Sequence, residues 1–459
     1  MEEKTMRTLS KAEKLILFES APIHKAVLRL VVPTMLSQLV TMIYSFADAF
    51  FVGRLGDENQ IAALSLVFPL YMMTTLLGNL FGIGGNSVIS RALGEADYTK
   101  ARRTSAFSVY SCVGVALVFS LCLYPALNEV LYFIGASTNT AGYAYDYLYV
   151  VLILGAVPTT LQLTLSHLVR AEGASRQAGF GIMLGGILNI VLDPVFMFAF
   201  NLGFKGAAIA TLISNCVSLA YFVVILFKTR SESFLSCDVR NYSLHVGGEV
   251  IANGAAAAIT ILFGSTSNIV MTKTASAYGD IAVASFGILQ KYMTMAIFVA
   301  IGIGQGIAPL LGYNYTAQNY RRIRQATRIV VGADAILAAV FFIAVESFTV
   351  FFTSLLTSDA DTAYAAAEFV KIGYLGIGGT IFMNFFISAY QAYGSWKSSL
   401  LMNFVRQIVI YIPNILIMSR LWGVVGLAAA YSVSELVAFV IALIIFLRLM
   451  KRIRKELTA

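Results

Sequence analysis

Charge is the scarcest commodity in this 459-residue chain: Asp, Glu, Lys and Arg together make up 12% of it, against 58% hydrophobic residues. A soluble protein of this length needs far more polar surface, and the mean hydropathy of +0.79 places the chain among polytopic membrane proteins. Histidine is almost missing, with three copies and no HExxH, which excludes the usual metalloprotease. No GxxxxGK[ST] loop is present for ATP, and no GxSxG elbow for a serine hydrolase. The chain therefore reads as a non-enzyme. Four cysteines lie far apart without a CxxC. Cys112, Cys122 and Cys216 fall in apolar runs and read as buried thiols rather than disulfides or metal ligands. The first 25 residues mix Lys, Arg and Glu with one short apolar patch, so no cleavable signal peptide is expected.

What is abundant is spanning length. A membrane helix needs about 20 mostly apolar residues. Twelve such stretches can be drawn, near 27–52, 61–89, 104–125, 143–168, 179–200, 206–227, 250–274, 281–311, 327–352, 365–390, 399–419 and 424–447. Basic residues concentrate at the N-terminal tail, in the even-numbered loops and at the C-terminus: Lys11, Lys14, Arg102, Arg103, Arg170, Arg321, Arg322, Arg324 and the run from Lys451 to Lys455. The odd-numbered loops hold little beyond Arg54, Lys205, Lys273 and Arg420. This bias puts both termini in the cytoplasm. It also accounts for the net charge of +8 without a nucleic-acid partner.

The chain repeats itself. "GIGGNSVISRALGEADYTKARR" from Gly82 matches "GIGQGIAPLLGYNYTAQNYRRIR" from Gly302; "RAEGASRQA" from Arg170 matches "QAYGSWKSS" from Gln391; "GAAIATLIS" from Gly206 matches "GLAAAYSVS" from Gly426. The common offset is 220 to 221 residues. The expected domains are an N-lobe, 1–235, and a C-lobe, 236–459, of six helices each, joined by the polar stretch Lys228 to Ser243. Six is even, so both lobes enter the membrane the same way, related by a pseudo-twofold along the membrane normal.

Ionisable residues inside spans carry the chemistry. An Asp at mid-bilayer costs roughly 2.5–3.5 kcal/mol, so it is usually functional or paired. Asp48 lies in "YSFADAFFVGRLG" and Asp193 in "LNIVLDPVFMF", at similar expected depth in the first half. Asn189 is one turn before Asp193 and shares its face. Pro194 has no N–H for the carbonyl of Ile190, which frees an oxygen beside the acid. Tyr44 is one turn before Asp48, and Thr211 adds a hydroxyl one span later. Carboxylates, an amide, a hydroxyl and a carbonyl are the hard oxygen ligands of a small cation. Two carboxylates in one low-dielectric site repel, so a sodium ion or a proton relieves the pair and the two compete. The alternative is a structural polar network with a proline kink, for which two acids without a nearby cation are costly scaffolding.

The second half departs from this pattern. Asn414 stands opposite Asp193, and Glu435 lies mid-span with Lys291 and Arg406 also intramembrane. These read as a charge-neutralising network, with Glu435 as a substrate-recognition acid the sharper alternative. Asp334 and Glu346 are expected nearer helix ends, in water, and His167 is expected as a helix-end polar residue. Met35, Met42, Tyr71, Met72 and Met293 are candidates for a cavity lined by adaptable or flat side chains.

Taken together, "YSFADAFFVGRLG" after a proline, "GIGGNSVISRALG", "VRAEGASRQA", "LNIVLDPVFMF", "GIGQGIAPLLGYNY" and the twelve-span layout resemble the MATE (multidrug and toxic compound extrusion) transporters. The resemblance runs from about Phe18 to Arg448. Carboxylates confined to the first half are similar to the DinF branch, and "FESAPIHKAVLRLVVP" with "SELVAF" is similar to its MepA-like members. The resemblance implies a V-shaped two-lobe fold and export of amphipathic, often cationic, compounds in exchange for Na+ or H+, with no cofactor besides the ion. It implies that Asp48, Asn189, Asp193 and Thr211 match the N-lobe cation site, with Ala207 contributing its carbonyl. Pro33 and Tyr44 match positions linked to bending of the first helix. Many relatives carry asparagines just before the "RxEG" motif, where this chain has Ser166 and His167. The expectation is a monomeric secondary multidrug antiporter in a bacterial inner membrane, and the rival is a lipid-linked oligosaccharide flippase.

Overall fold

In a computed structural model the chain is described over residues 9–356 and 360–456, and no strand occurs among them. The chain ends themselves, expected on one side of the membrane, lie outside those residues. A short helix, α1 (Lys11–Glu19), precedes the spans; its capping box closes through Glu13 N–H to Ser10 Oγ and Ser10 N–H to Glu13 Oε2, which satisfies two otherwise orphaned donors. Then come α2 (Ile23–Gly53), α3 (Glu58–Gly94) and α4 (Tyr98–Phe133). A bent span follows: α5 (Ala141–Leu148), a π segment at Tyr149–Leu154, and α6 (Ala156–Ala171). The first repeat closes with α7 (Ser175–Pro194), a π turn at Val195–Ala199, and α8 (Gly203–Lys228).

The second repeat has α9 (Gly247–Ser276), α10 (Asp280–Thr316), α11 (Tyr320–Leu356), the bent pair α12 (Ala360–Tyr374) and α13 (Ile377–Ala392), then α14 (Trp396–Phe404), a π segment at Val405–Tyr411 and α15 (Ile412–Glu456). Among the described residues nine helical stretches are long and apolar enough to cross a membrane, and the two bent pairs raise this to 11. One of the nine, Trp396–Arg452, has 57 residues and breaks at Gly423 (φ 58°, ψ −134°). At 1.5 Å per residue it is far longer than a ~30 Å hydrocarbon core, so it crosses twice. That makes twelve spans among the described residues. The protein is a multi-pass membrane protein.

The repeat is visible in the helix caps. α3 and α10 are both 37 residues long, and α6 and α13 both 16. Ala96 (φ 57°) turns the chain into α4, and Gln318 (φ 58°) turns it into α11. Asp97 then accepts from the Lys100 N–H at 2.8 Å, as Asn319 Oδ1 accepts from the Arg322 N–H at 3.1 Å. A left-handed residue and an N-terminal Asx cap end one span and begin the next in both halves.

By packing, the chain forms two compact units. Unit 1 holds Val32–Ala258 with the segment through Ala21, and unit 2 holds Pro22–Val31 with Ile259 onward. Lipid offers helices no hydrophobic reason to associate, so close approach at small residues does that work. In unit 1 a Cβ on Gly84 or Gly254 would run into the backbone of Val250 or Leu80, respectively. Beside this, Leu127, Leu148, Phe204 and Ala207 form an apolar core in which Tyr147 stacks on Phe204 at 4.6 Å. In unit 2 the core gathers Met271, Leu289, Val370, Ile381 and Leu427.

The polar linker after α8 is held down. Glu172 accepts from Lys14 Nζ (2.7 Å), Ser233 Oγ (2.9 Å) and the Phe234 N–H (2.8 Å), while Lys14 Nζ also donates to the Glu232 carbonyl (2.8 Å). Phe18, fully buried, lies against Gly173, where φ is +86°. All four cysteines are free, but only Cys112 is buried; Cys122 and Cys216 are exposed on their helices, because an apolar run in a span covers a lipid-facing side as readily as a core-facing one.

Candidate ion-coupling site

α2 and α7 run side by side in unit 1, and glycine sets their spacing. A Cβ on Gly179 would come within 2.6 Å of the Pro33 carbonyl, and one on Gly186 within 2.9 Å of Val40 and 3.5 Å of Tyr44. Positions 179 and 186 are seven apart, two helical turns, so one face of α7 lies on α2 throughout. The next position on that face is Asp193, and the next on α2 is Asp48. Asp193 is fully buried, Asn189 is 3% exposed, and the two carboxylates are close enough to interact electrostatically.

The turn from α7 to α8 brings the remaining groups in. Pro194 gives the Ile190 carbonyl no N–H, and the Val195 N–H goes to the Leu192 carbonyl. The helix then widens into a π turn, with the Phe200 N–H on the Val195 carbonyl at 2.9 Å. Asn201 (φ 55°) and Gly203 (φ 54°) reverse the chain. Gly206 lies against the backbone of Phe196, where a Cβ would sit at 2.7 Å. α8 can therefore press on the π turn, with Ala207 buried and Thr211 facing α7. Asn189 Nδ2 donates to Asp193 Oδ1 and to Thr211 Oγ1, both at 3.3 Å.

Three oxygens in this cluster are buried with no hydrogen-bond partner: Asp48 Oδ1, Asp193 Oδ2 and Asn189 Oδ1. Buried polar atoms left so are rare and call for an ion or water. No group of three His, Cys, Asp or Glu side chains able to hold a metal occurs among the described residues. The donor set is all oxygen, with two acids, which suits a monovalent hard cation or a proton.

Around the acids stand three tyrosines. The Tyr44 hydroxyl lies near that of Tyr71, and Tyr147, 5% exposed, lies near Thr211 and both acids. Tyr147 is not among the residues that the sequence singles out, since "YAYDYLYV" carries four tyrosines and no pattern to separate them. Outside the membrane, Asp57 caps α3 and its carboxyl is held below the usual carboxylate range, first of all by Gln60 Nε2 at 3.1 Å. Gln60 Oε1 in turn accepts from the Phe204 N–H at 3.0 Å, tying α3 to the start of α8.

Several expectations change in place. Met35, Met42, Tyr71 and Met72 are half-buried in unit 1, but Met293, 2% exposed, is packed into the core of unit 2 rather than lining a space. Glu435 is taken by Arg406, whose Nε donates to Oε1 at 2.9 Å in a buried salt bridge. Lys291 is not part of that pair; it is exposed on α10, where a long side chain can reach out of an apolar face. Asp334 is buried, not solvated, because α11 begins at Tyr320 and carries it 14 residues inward. His167 is also buried, with Nδ1 3.1 Å from Arg170 Nη1.

The MatE family model matches residues 33–195 and 256–417, one copy in each repeat. Among curated relatives, Multidrug export protein MepA of Staphylococcus aureus is 30% identical over 440 residues, covering 95% of this chain and 96% of its own. That of Staphylococcus saprophyticus is 28% identical over 445 residues, covering 96% and 98%. Two solved structures share the fold: an outward-facing multidrug resistance MATE family transporter of the MOP superfamily (TM-score 0.91, 22% identity, covering 96% of this chain and 98% of its own) and a Vibrio cholerae MATE transporter in the bent form (0.87, 22%, covering 94% and 98%). A twelve-span helical fold, an internal repeat matched twice by one family model, and relatives that align from end to end agree: the chain belongs to the MatE family of transporters.

Proposed function

We propose that this protein is a secondary active multidrug efflux antiporter, exporting amphipathic and cationic compounds in exchange for Na+ or H+ by alternating access. The observation that carries the reading is the cluster of unpartnered oxygens at Asp48, Asp193 and Asn189, with Thr211 beside them. Asp48, Asn189, Asp193 and Thr211 hold the ion, the Ala207 carbonyl adds a ligand, and Tyr44 steadies Asp48. Pro33 and Pro194 are the points at which α2 and α7 bend. Ion binding neutralises the two acids and, with the helix movement, favours drug release outward and return to the inward-facing state. Coupling requires ion and drug to bind the two states with different affinities. Met35, Met42, Tyr71 and Met72 are the cavity-lining candidates that remain.

The repeat lobes are 1–235 and 236–459, the protein acts as a monomer in the bacterial cytoplasmic membrane with both termini inside, and it uses no cofactor besides the coupling ion. The basic residues of the even-numbered loops support that orientation. The MepA relatives are multidrug export proteins by name, which supports the activity. A lipid-linked oligosaccharide flippase is less well supported: its phosphate-bearing cargo needs unpaired cations, and Arg406 is neutralised by Glu435.

The test is reconstitution in liposomes with Na+ and H+ gradients imposed separately, following efflux of a fluorescent lipophilic cation. One gradient is expected to drive efflux, and the Asp48→Asn/Asp193→Asn double variant to lose it. No response to either gradient, or full activity in the double variant, overturns the proposal.

A further inference from the structure

Among the described residues three acids are buried away from the candidate ion site, and two have a cation. Glu172 has Lys14 and Glu435 has Arg406. Asp334, 1% exposed, has no salt bridge among the described residues, and its Oδ2 is buried with no partner. It sits on the inward stripe of α11, between Val330 and Leu337, with Ile336 and Val340 exposed on the other side.

Two contacts fix what surrounds it. The Tyr292 hydroxyl donates to the Thr349 carbonyl at 3.3 Å, and a Cβ on Gly378 would lie 3.8 Å from Ala338. α10 and α13 run opposite to α11, so the residues level with Asp334 are near Ile307 and Phe382, both apolar. On α12 the nearest charges, Lys371 with its partner Glu346 at 3.5 Å, lie about 18 Å further along. In the other direction Arg328 is exposed and about 9 Å away.

A second observation points the same way. Thr327 Oγ1, Tyr390 Oη and Tyr393 Oη are also buried without partners. Thr327 lies two turns from Asp334 on the same face, toward the basic end of α11. The antiparallel register puts Tyr390 level with Thr327, and Tyr393 lies close to Tyr315, Tyr390 and Tyr320, where α11 begins. Unpartnered buried hydroxyls in a row are places for water. They mark polar positions between Asp334 and the basic end of α11.

We infer that Asp334 is a second proton-binding carboxylate, in unit 2, which exchanges its proton with water at the basic end along Thr327, Tyr390 and Tyr393. The inference rests on the efflux reading above and adds one proton to each transport cycle, separate from the ion held by Asp48 and Asp193.

The full-length protein in proteoliposomes, with membrane potential clamped and a pH gradient imposed, tests it. The readout is steady-state accumulation of tetraphenylphosphonium. Each coupled proton is worth about tenfold in accumulation per pH unit of gradient. Asp334→Asn is expected to lower the plateau by about tenfold per pH unit while leaving the probe's Kd unchanged. A plateau equal to that of the unsubstituted protein overturns the inference. Should Asp334→Asn fail to fold, Asp334→Glu is expected to keep the plateau, and Thr327→Val/Tyr390→Phe to slow the initial rate without moving it; an unchanged rate in the latter overturns the path. A plateau of the unsubstituted protein that ignores the pH gradient overturns the inference and leaves sodium-driven efflux standing. Wild-type accumulation by Asp48→Asn/Asp193→Asn instead overturns the coupling reading, and the Asp334 comparison is unaffected.

Discussion

Asn189 is the residue on which the candidate site turns, since its one amide nitrogen joins Asp193 to Thr211. Asn189→Leu keeps the volume and leaves both partners buried without it. Losing the partner of a buried polar group costs about 1–3 kcal/mol, so ion affinity is expected to fall roughly 5- to 150-fold, read by titrating efflux with the coupling ion. Glu435 behaves differently. Removing one member of a buried ion pair costs about 3–5 kcal/mol, whereas replacing both with apolar residues is often neutral. Glu435→Gln is therefore expected to lower the melting temperature in detergent far more than Arg406→Met/Glu435→Leu. Equal losses would show that the pair has a role beyond neutralising itself. Of the acids, sequence spacing singled out Asp48 and Asp193 because each stands alone in an apolar run. It misjudged Asp334, since a helix that starts at Tyr320 rather than near residue 327 moves that residue inward.

At the scale of the helix, contact between α2 and α7 depends on Gly179 and Gly186. Gly186→Val puts a branched side chain against Val40 and Tyr44 and is expected to push the helices apart. Overpacking of this kind costs about 1–3 kcal/mol, and it also separates Asp48 from Asp193. Ion-driven efflux is expected to be lost while drug binding, measured directly, persists; retained coupling would show that the two acids do not act together. The sequence pattern does not single these glycines out, because a glycine in a span does not reveal which neighbour it faces. The π turns at Val195–Ala199 and Val405–Tyr411 were equally illegible. Pro194 signals a break in the hydrogen-bond ladder, but not that the chain widens into a π turn after it.

Across the whole molecule the two halves share helix lengths, caps and bends, yet only the first carries the paired acids. Asn414, opposite Asp193, donates to Ser434 Oγ at 2.9 Å, so the second half uses an amide as a structural link. Asn414→Asp is expected to leave the ion-to-drug ratio unchanged and to lower thermal stability, because the new carboxylate loses that donor and adds charge to a unit whose buried Arg406 is already matched by Glu435. A gain of one coupled ion would mean that the halves remain interchangeable.

The sequence by itself determined the membrane, the number of spans, the repeat and the isolated acids. Hydropathy and self-similarity are properties of order along the chain, and lipid forces each apolar run of sufficient length into a helix. Only the tertiary structure decided which oxygens meet. It placed Tyr147 beside Thr211, gave Glu435 to Arg406, left Lys291 outside and buried Asp334. Those pairings depend on which face of each helix meets which neighbour, and in lipid that is settled by close packing at glycines and hydrogen bonds between helices, neither of which hydropathy records.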